Sequence, residues 1–198
     1  MVNSLNTKHI RPFRIIIPLF LAMIATQYGC GSDSASSAFD NEKPVNPDDY
    51  FVVERSIEIN RPINVVFNYA GNPSFDIHWR NEVNEMTADG PWAVGTNYYE
   101  DSTILFNPHY LTVTKLEVLD PPFRMVVQTP PGHLHLRAER TFKVIDDDTT
   151  MFTYQLQVDK RMPRKASSMP GSGMVAKPYY YQVMKFYQWR LKRTLESQ

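Results

Sequence analysis

The run AERTFKVIDDDTTMFTYQLQV, residues 138–158, reads as two strands folded about Asp146-Asp147-Asp148. Extending the first strand back to His133 gives one face of His133, His135, Arg137, Glu139, Thr141 and Lys143. The other face is Leu134, Leu136, Ala138, Arg140, Phe142 and Val144. Successive strand side chains point to opposite faces, so the second set must turn toward a core. The return strand repeats the pattern with Thr150, Phe152, Tyr154, Leu156 and Val158. One apolar face on two neighbouring strands predicts an antiparallel hairpin covering a core.

Outward from this hairpin the chain is nearly all strand and turn. Candidate strands lie at 81–88, 95–105, 109–119 and 123–129, punctuated by Gly90-Pro91, Asn107-Pro108, Asp120-Pro121-Pro122 and Pro130-Pro131-Gly132. Upstream, Phe51 to Ile59 alternates in its second half, as a half-buried strand should. Asn60 is a candidate cap, and Pro62 suits a first helical turn. Ile63, Val66, Phe67 and Ala70 then recur at helical spacing up to Gly71, and Asn72-Pro73 restarts a short helix with Phe75, His78 and Trp79. Downstream, 160–173 reads as a Pro/Ser/Gly loop with four bases, and 174–196 as a long helix with Pro178 near its start. The order is strand, two short helices, six strands and a long helix. It predicts an α+β domain with about seven strands in an antiparallel sheet.

Length and composition agree. The chain has 198 residues, 42% apolar and 13% aromatic, enough for one filled core. Its single cysteine excludes a disulfide framework within one chain. Formal net charge is zero, but Lys8, Arg11 and Arg14 precede position 30 without any acid. The remainder is net negative, which speaks against a nucleic-acid partner. Within it the bases concentrate after residue 159, in Lys160, Arg161, Arg164, Lys165 and the long helix. A basic end can pair with the acidic sheet or meet anionic headgroups.

The pieces RSIEINRPINVVFNYAGNPSFDIHW (55–79), VGT (94–96), LEVLDPPFR (116–124), the hairpin at 138–158 and the final helix resemble the START-like helix-grip superfamily. The nearest branch is that of polyketide cyclases/dehydrases and lipid-transport proteins. The resemblance covers about 50–196. It implies a curved sheet gripping the long helix over an apolar cavity that takes a hydrophobic small molecule or lipid, without a cofactor. Some members cyclise or dehydrate a substrate there, so the fold leaves binding, catalysis and a filled interaction module all open.

Several side chains are candidates for that cavity. Arg140 is a guanidinium on an apolar face, either an anchor for a carboxylate or phosphate or one half of an internal ion pair. Tyr154 brings a hydroxyl to the same wall, for a ligand or for backbone. Tyr98 or its neighbour Tyr99 is expected to line the pocket. His78 is the weak catalytic candidate, by virtue of a near-neutral imidazole, and Trp79 beside it is a core wedge or a ligand platform. On the long helix Tyr180, Met184, Tyr187, Leu191 and Leu195 form a packing stripe, and Tyr179, Val183 and Phe186 a second stripe that could reach a ligand. His133 and His135 lack further ligands at zinc spacing, so no metal is expected.

The first thirty residues read as an address. Lys8 to Arg14 and the apolar run Ile15 to Thr26 form the two halves of an export signal, too short to span a bilayer comfortably. Gln27-Tyr28-Gly29-Cys30 resembles a bacterial lipobox, with Gln27 where leucine is usual. That resemblance implies lipidation of Cys30. The alternatives are a cut elsewhere or an uncut anchor. The expected organisation is 1–29 signal peptide, 30–49 flexible tether and 50–198 helix-grip domain. The expected location is a membrane-tethered lipoprotein, a monomer on the periplasmic side of the outer membrane in a Gram-negative cell.

Overall fold

The computed structural model describes residues 46–105, 107–167 and 172–198. The expected export signal, Cys30 and most of the expected tether lie outside the described residues. No helix among the described residues is long and apolar enough to cross a membrane.

Seven antiparallel strands form one sheet: β1 (Tyr50–Ile59), β2 (Val83–Ala88), β3 (Asn97–Ile104), β4 (Asn107–Asp120), β5 (Arg124–Gln128), β6 (Leu136–Asp146) and β7 (Thr149–Asp159). The spatial order is β1-β7-β6-β5-β4-β3-β2. Strands β2 to β7 are sequential neighbours, while β1 crosses to pair with β7, from Tyr50 opposite Asp159 to Ile59 opposite Thr150. Register shifts at Val83/Glu85, Ser102/Ile104, Leu116/Val118 and Val144/Asp146 bend the sheet.

Strand parity holds through the central hairpin. Ala138, Arg140, Phe142, Thr150, Phe152, Tyr154, Leu156 and Val158 are all buried. On that face Leu134 and Leu136 are half-buried, and Val144 is 47% exposed because it sits at the register shift where the hairpin runs past the core.

Helix α1 (Ile63–Ala70) buries Val66, Phe67 and Ala70. Pro62 rather than Asn60 occupies its N-cap, and the Asn60 N–H is bonded instead by Glu196 Oε1 at 2.7 Å. Gly71 ends α1 at a close approach: a Cβ there would lie 2.5 Å from the Phe67 carbonyl oxygen. A 3-10 turn at Pro73–Phe75, capped by the Asn72 side chain, leads into α2 (Asp76–Trp79).

The segment 160–173 is not all loop. It contains α3 (Met162–Ala166), whose Met162 and Ala166 lie one turn apart and are both buried, with Pro163 at a first-turn position where its missing N–H costs nothing. The long helix α4 spans Ser172–Glu196 and lays Ala176, Tyr180, Met184, Tyr187, Leu191 and Leu195 on the sheet. The core draws its members from Val53 to Leu195, so the segment 46–198 carries its own core.

Candidate functional site

Between the sheet and α4 lies a partly enclosed cavity of about 50 Å³. Its apolar wall is Met86, Ile104, Val127, Leu136, Ala138 and Leu156. Its polar wall holds Asp76, Arg80, Glu100 and Arg140, with the hydroxyl-bearing residues Thr112, Thr114, Tyr154 and Tyr180. The volume is room for a few waters.

The polar wall is a continuous ionic network. Arg140, 1% exposed, donates from Nη1 and Nη2 to Asp76 Oδ1 and Oδ2 at 2.7 and 2.5 Å, and from Nη1 to the Ala70 carbonyl at 2.8 Å. Its guanidinium carbon sits 5.0 Å from the Trp79 ring centroid and 4.9 Å from that of Tyr154. Asp76 also receives Arg80 Nη1 at 3.0 Å, one helical turn away. Arg80 in turn forks onto both oxygens of Glu100 at 2.9 Å each and onto Glu82 from Nε at 2.9 Å.

The titration of the network follows from these contacts. Burial opposes the charge of Arg140, but Asp76 outweighs it and holds the guanidinium well above its ordinary value. Arg80 behaves likewise, with Glu100 and Glu82 overcoming burial. In Glu82 it is the charged form that is disfavoured. Burial raises its pKa, Arg80 lowers it, and Glu100 adds repulsion, for a net rise. A carboxyl whose pKa rises on folding adds stability below its unfolded value and loses it as pH rises through the folded one. Ionised Glu82 therefore works against the fold at neutral pH. Glu82→Gln should raise the thermal midpoint at pH 7, and the gain should vanish at about pH 4, where the unfolded carboxyl is itself largely protonated. Thermal melts of both proteins at the two pH values check this.

Of the residues singled out from sequence, Arg140 and Tyr154 line the cavity. Trp79 is fully buried behind them, with edge contacts to Phe152, Tyr154 and Tyr187. Tyr98 is buried and its neighbour Tyr99 is exposed. The Tyr98 hydroxyl finds no partner among the described residues, and burial, with Asp76 beside it, pushes its pKa up. Tyr179 is half-buried, its hydroxyl accepting from the Leu105 N–H at 3.4 Å, and Val183 packs on the core's edge. Phe186 is outside the cavity, 51% exposed beside Trp189. The stripe spacing put it one step too far round the helix. His78 is exposed on the outer side of α2, near Phe75, and not at the cavity wall.

The sequence reading passed over Asp76, Arg80, Glu100, Thr112 and Thr114. Asp76 and Arg80 stand at i, i+4 on a short helix, a spacing that brings opposite charges together. Thr112 and Thr114 alternate with Leu111 and Val113 on a strand whose inward positions include the buried Leu116. Among the described residues no three His, Cys, Asp or Glu side chains are grouped to hold a metal ion.

No family model matches the chain, and no curated protein matches it. Solved structures do. A START superfamily protein from Mycobacterium smegmatis aligns with a TM-score of 0.60 at 11% identity, covering 74% of this chain and 97% of that one. The Zhui aromatase/cyclase from Streptomyces sp. R1128 aligns at 0.57 and 10% identity, covering 74% and 94%. A conserved protein from Geobacillus kaustophilus aligns at 0.56 and 15% identity, covering 74% and 96%. The likeness is one of fold: a START-like helix-grip.

Proposed function

We propose that this helix-grip domain is exported, tethered to a membrane through Cys30, and binds a hydrophobic small molecule or lipid between its sheet and α4. The tether rests on the basic stretch, the apolar run and the position of Cys30 described above. The observation that carries the binding reading is the cavity under α4, apolar on one wall and polar on the other.

At about 50 Å³ the cavity must enlarge to admit such a ligand. The way α4 is held supports movement at one end. Its C-terminal half is fastened to β1 and the residues after it: Gln188 Nε2 donates to the Arg55 carbonyl, Lys192 Nζ to the Glu58 carbonyl, and Arg61 Nε to the Leu195 carbonyl. Ahead of Tyr181, α4 meets the β3–β4 turn through the long Leu105–Tyr179 hydrogen bond. Pro178 lacks an N–H for the Met174 carbonyl, and Met174 is 83% exposed. The enlargement we propose is therefore a displacement of the first half of α4, which would carry the buried Ala176 and Tyr180 with it.

Native mass spectrometry of residues 46–198 purified from the source cells, followed by organic extraction, tests this reading. A near-stoichiometric lipid or aromatic metabolite supports it, and an apo mass that persists when apolar ligands are added sinks it. Ala138→Leu should fill the cavity and weaken retention by about tenfold or more while the domain stays folded, since overpacking costs about 1–3 kcal/mol. The same variant separates the interior from the outer groove of about 470 Å³ that Val52, Pro178 and Tyr181 help to line. A second reading, cyclase/dehydratase chemistry in the same cavity, draws on the convergence of Asp76, Arg80, Glu100 and Arg140 at its wall. Conversion of the extracted molecule on return to the protein would select it.

A further inference from the structure

We infer that the ligand of this cavity is uncharged: an apolar molecule bearing a hydroxyl or carbonyl, not a carboxylate, phosphate or sulfate. The inference rests on the binding reading and narrows its chemistry.

A guanidinium beside a greasy pocket invites the opposite conclusion. Here both guanidiniums are already engaged. Arg140 gives both terminal nitrogens to Asp76 and one of them also to the Ala70 carbonyl. Arg80 divides its donors among Asp76, Glu82 and Glu100. Two cations thus face three carboxylates, a net of one negative charge when all are ionised. Protonation of Glu82, the acid that burial favours in its neutral form, brings the wall only to zero. Beyond the single Nε–H of Arg140, an anionic head could win a guanidinium only by displacing Asp76 or Glu100, and it would strand the displaced carboxylate next to itself. One partner removed from a buried pair is strongly destabilising, because the charge left behind is uncompensated. Like charges brought together add to that cost.

What remains for a ligand is neutral hydrogen bonding. Tyr180 lines the cavity, and its hydroxyl is buried with no partner among the described residues. Burial pushes its pKa up, so it stays a phenol able to donate. Arg140 Nε likewise keeps one buried N–H without an acceptor among the described residues. Such donors suit a hydroxyl or carbonyl oxygen. Thr112 and Thr114 add hydroxyls that can donate or accept.

The test is displacement of the neutral fluorophore N-phenyl-1-naphthylamine from residues 46–198 by matched pairs at pH 7.5: 2-naphthol against 2-naphthoate, and decan-1-ol against decanoate. The alcohol of each pair should displace the fluorophore at a concentration on the order of tenfold lower than its carboxylate, and Ala138→Leu should abolish the difference. Asp76→Asn frees a guanidinium and should shift the preference toward the carboxylate. Glu100→Gln, which leaves the Asp76–Arg140 pair intact, should do the same through Arg80 if the first variant does not fold. Carboxylates that displace the fluorophore as well as their alcohols overturn this inference and leave the binding reading standing. A domain that takes up neither fluorophore nor any competitor overturns the binding reading, and this inference falls with it.

Discussion

Asp76→Ala should cost about 3–5 kcal/mol in a urea titration followed by far-UV circular dichroism, enough to bring a domain of this size close to unfolding. Asp76 is 1% exposed and, among the described residues, is the one carboxylate that touches both guanidiniums. Its removal strands Arg140, whose only other protein acceptor in the network is a backbone carbonyl. Arg80 suffers less, because Glu82 and Glu100 remain. The asymmetry yields a ranking. Arg140→Met should cost less than Asp76→Ala, since Arg80 still neutralises Asp76. The double variant Asp76→Ala/Arg140→Met should recover roughly 2 kcal/mol or more of the single loss, because no uncompensated cation is left. A double variant no more stable than Asp76→Ala would show that the pair matters through shape and not through charge.

Trp79→Ala is the second large effect, at about 3–5 kcal/mol for a fully buried tryptophan. The ring has no exposure, meets Tyr187 edge-on at 5.5 Å between centroids and Phe152 at 6.2 Å, and underlies the Arg140 guanidinium. Its Nε1 has no partner among the described residues, so the loss is one of volume and contact and not of a hydrogen bond. Trp79→Phe should therefore cost well under half as much, about 1–2 kcal/mol, in the same titration. Equal losses for the two variants would mean that the indole nitrogen does have a partner.

Much of the architecture was legible from period-2 alternation. That signal is strong in β6 and β7 because one sheet face is buried against α4 and the other is solvated. The same alternation exposed Arg140 as an anomaly, since charged side chains rarely sit on an apolar face. Its partner was not legible. Asp76 lies 64 positions earlier on a four-residue helix, and nothing in its own neighbourhood marks it as buried. Glu100 was hidden for another reason: β3 mixes aromatic and polar residues on both faces, so parity does not separate inside from outside there. Phe186 was misplaced because an aromatic stripe at helical spacing says that a helix is buried but not how far round the burial extends. The cavity's volume depends on which of Tyr180, Tyr187 and Trp79 fill the space under α4, and no pattern in a sequence encodes that.

The position of β1 has a consequence for how the chain is made. Synthesis delivers β1 first, yet its only strand partner among the described residues is β7, which begins at Thr149, and the helix fastened along it ends at Glu196. Pairing of β1 must therefore await nearly the whole polypeptide, because contacts so distant along the chain form only after the intervening loop entropy has been met. A chain threaded through a translocation channel from its N-terminus would stay open throughout the passage. It would close only on the far side, once its last helix had followed its first strand across.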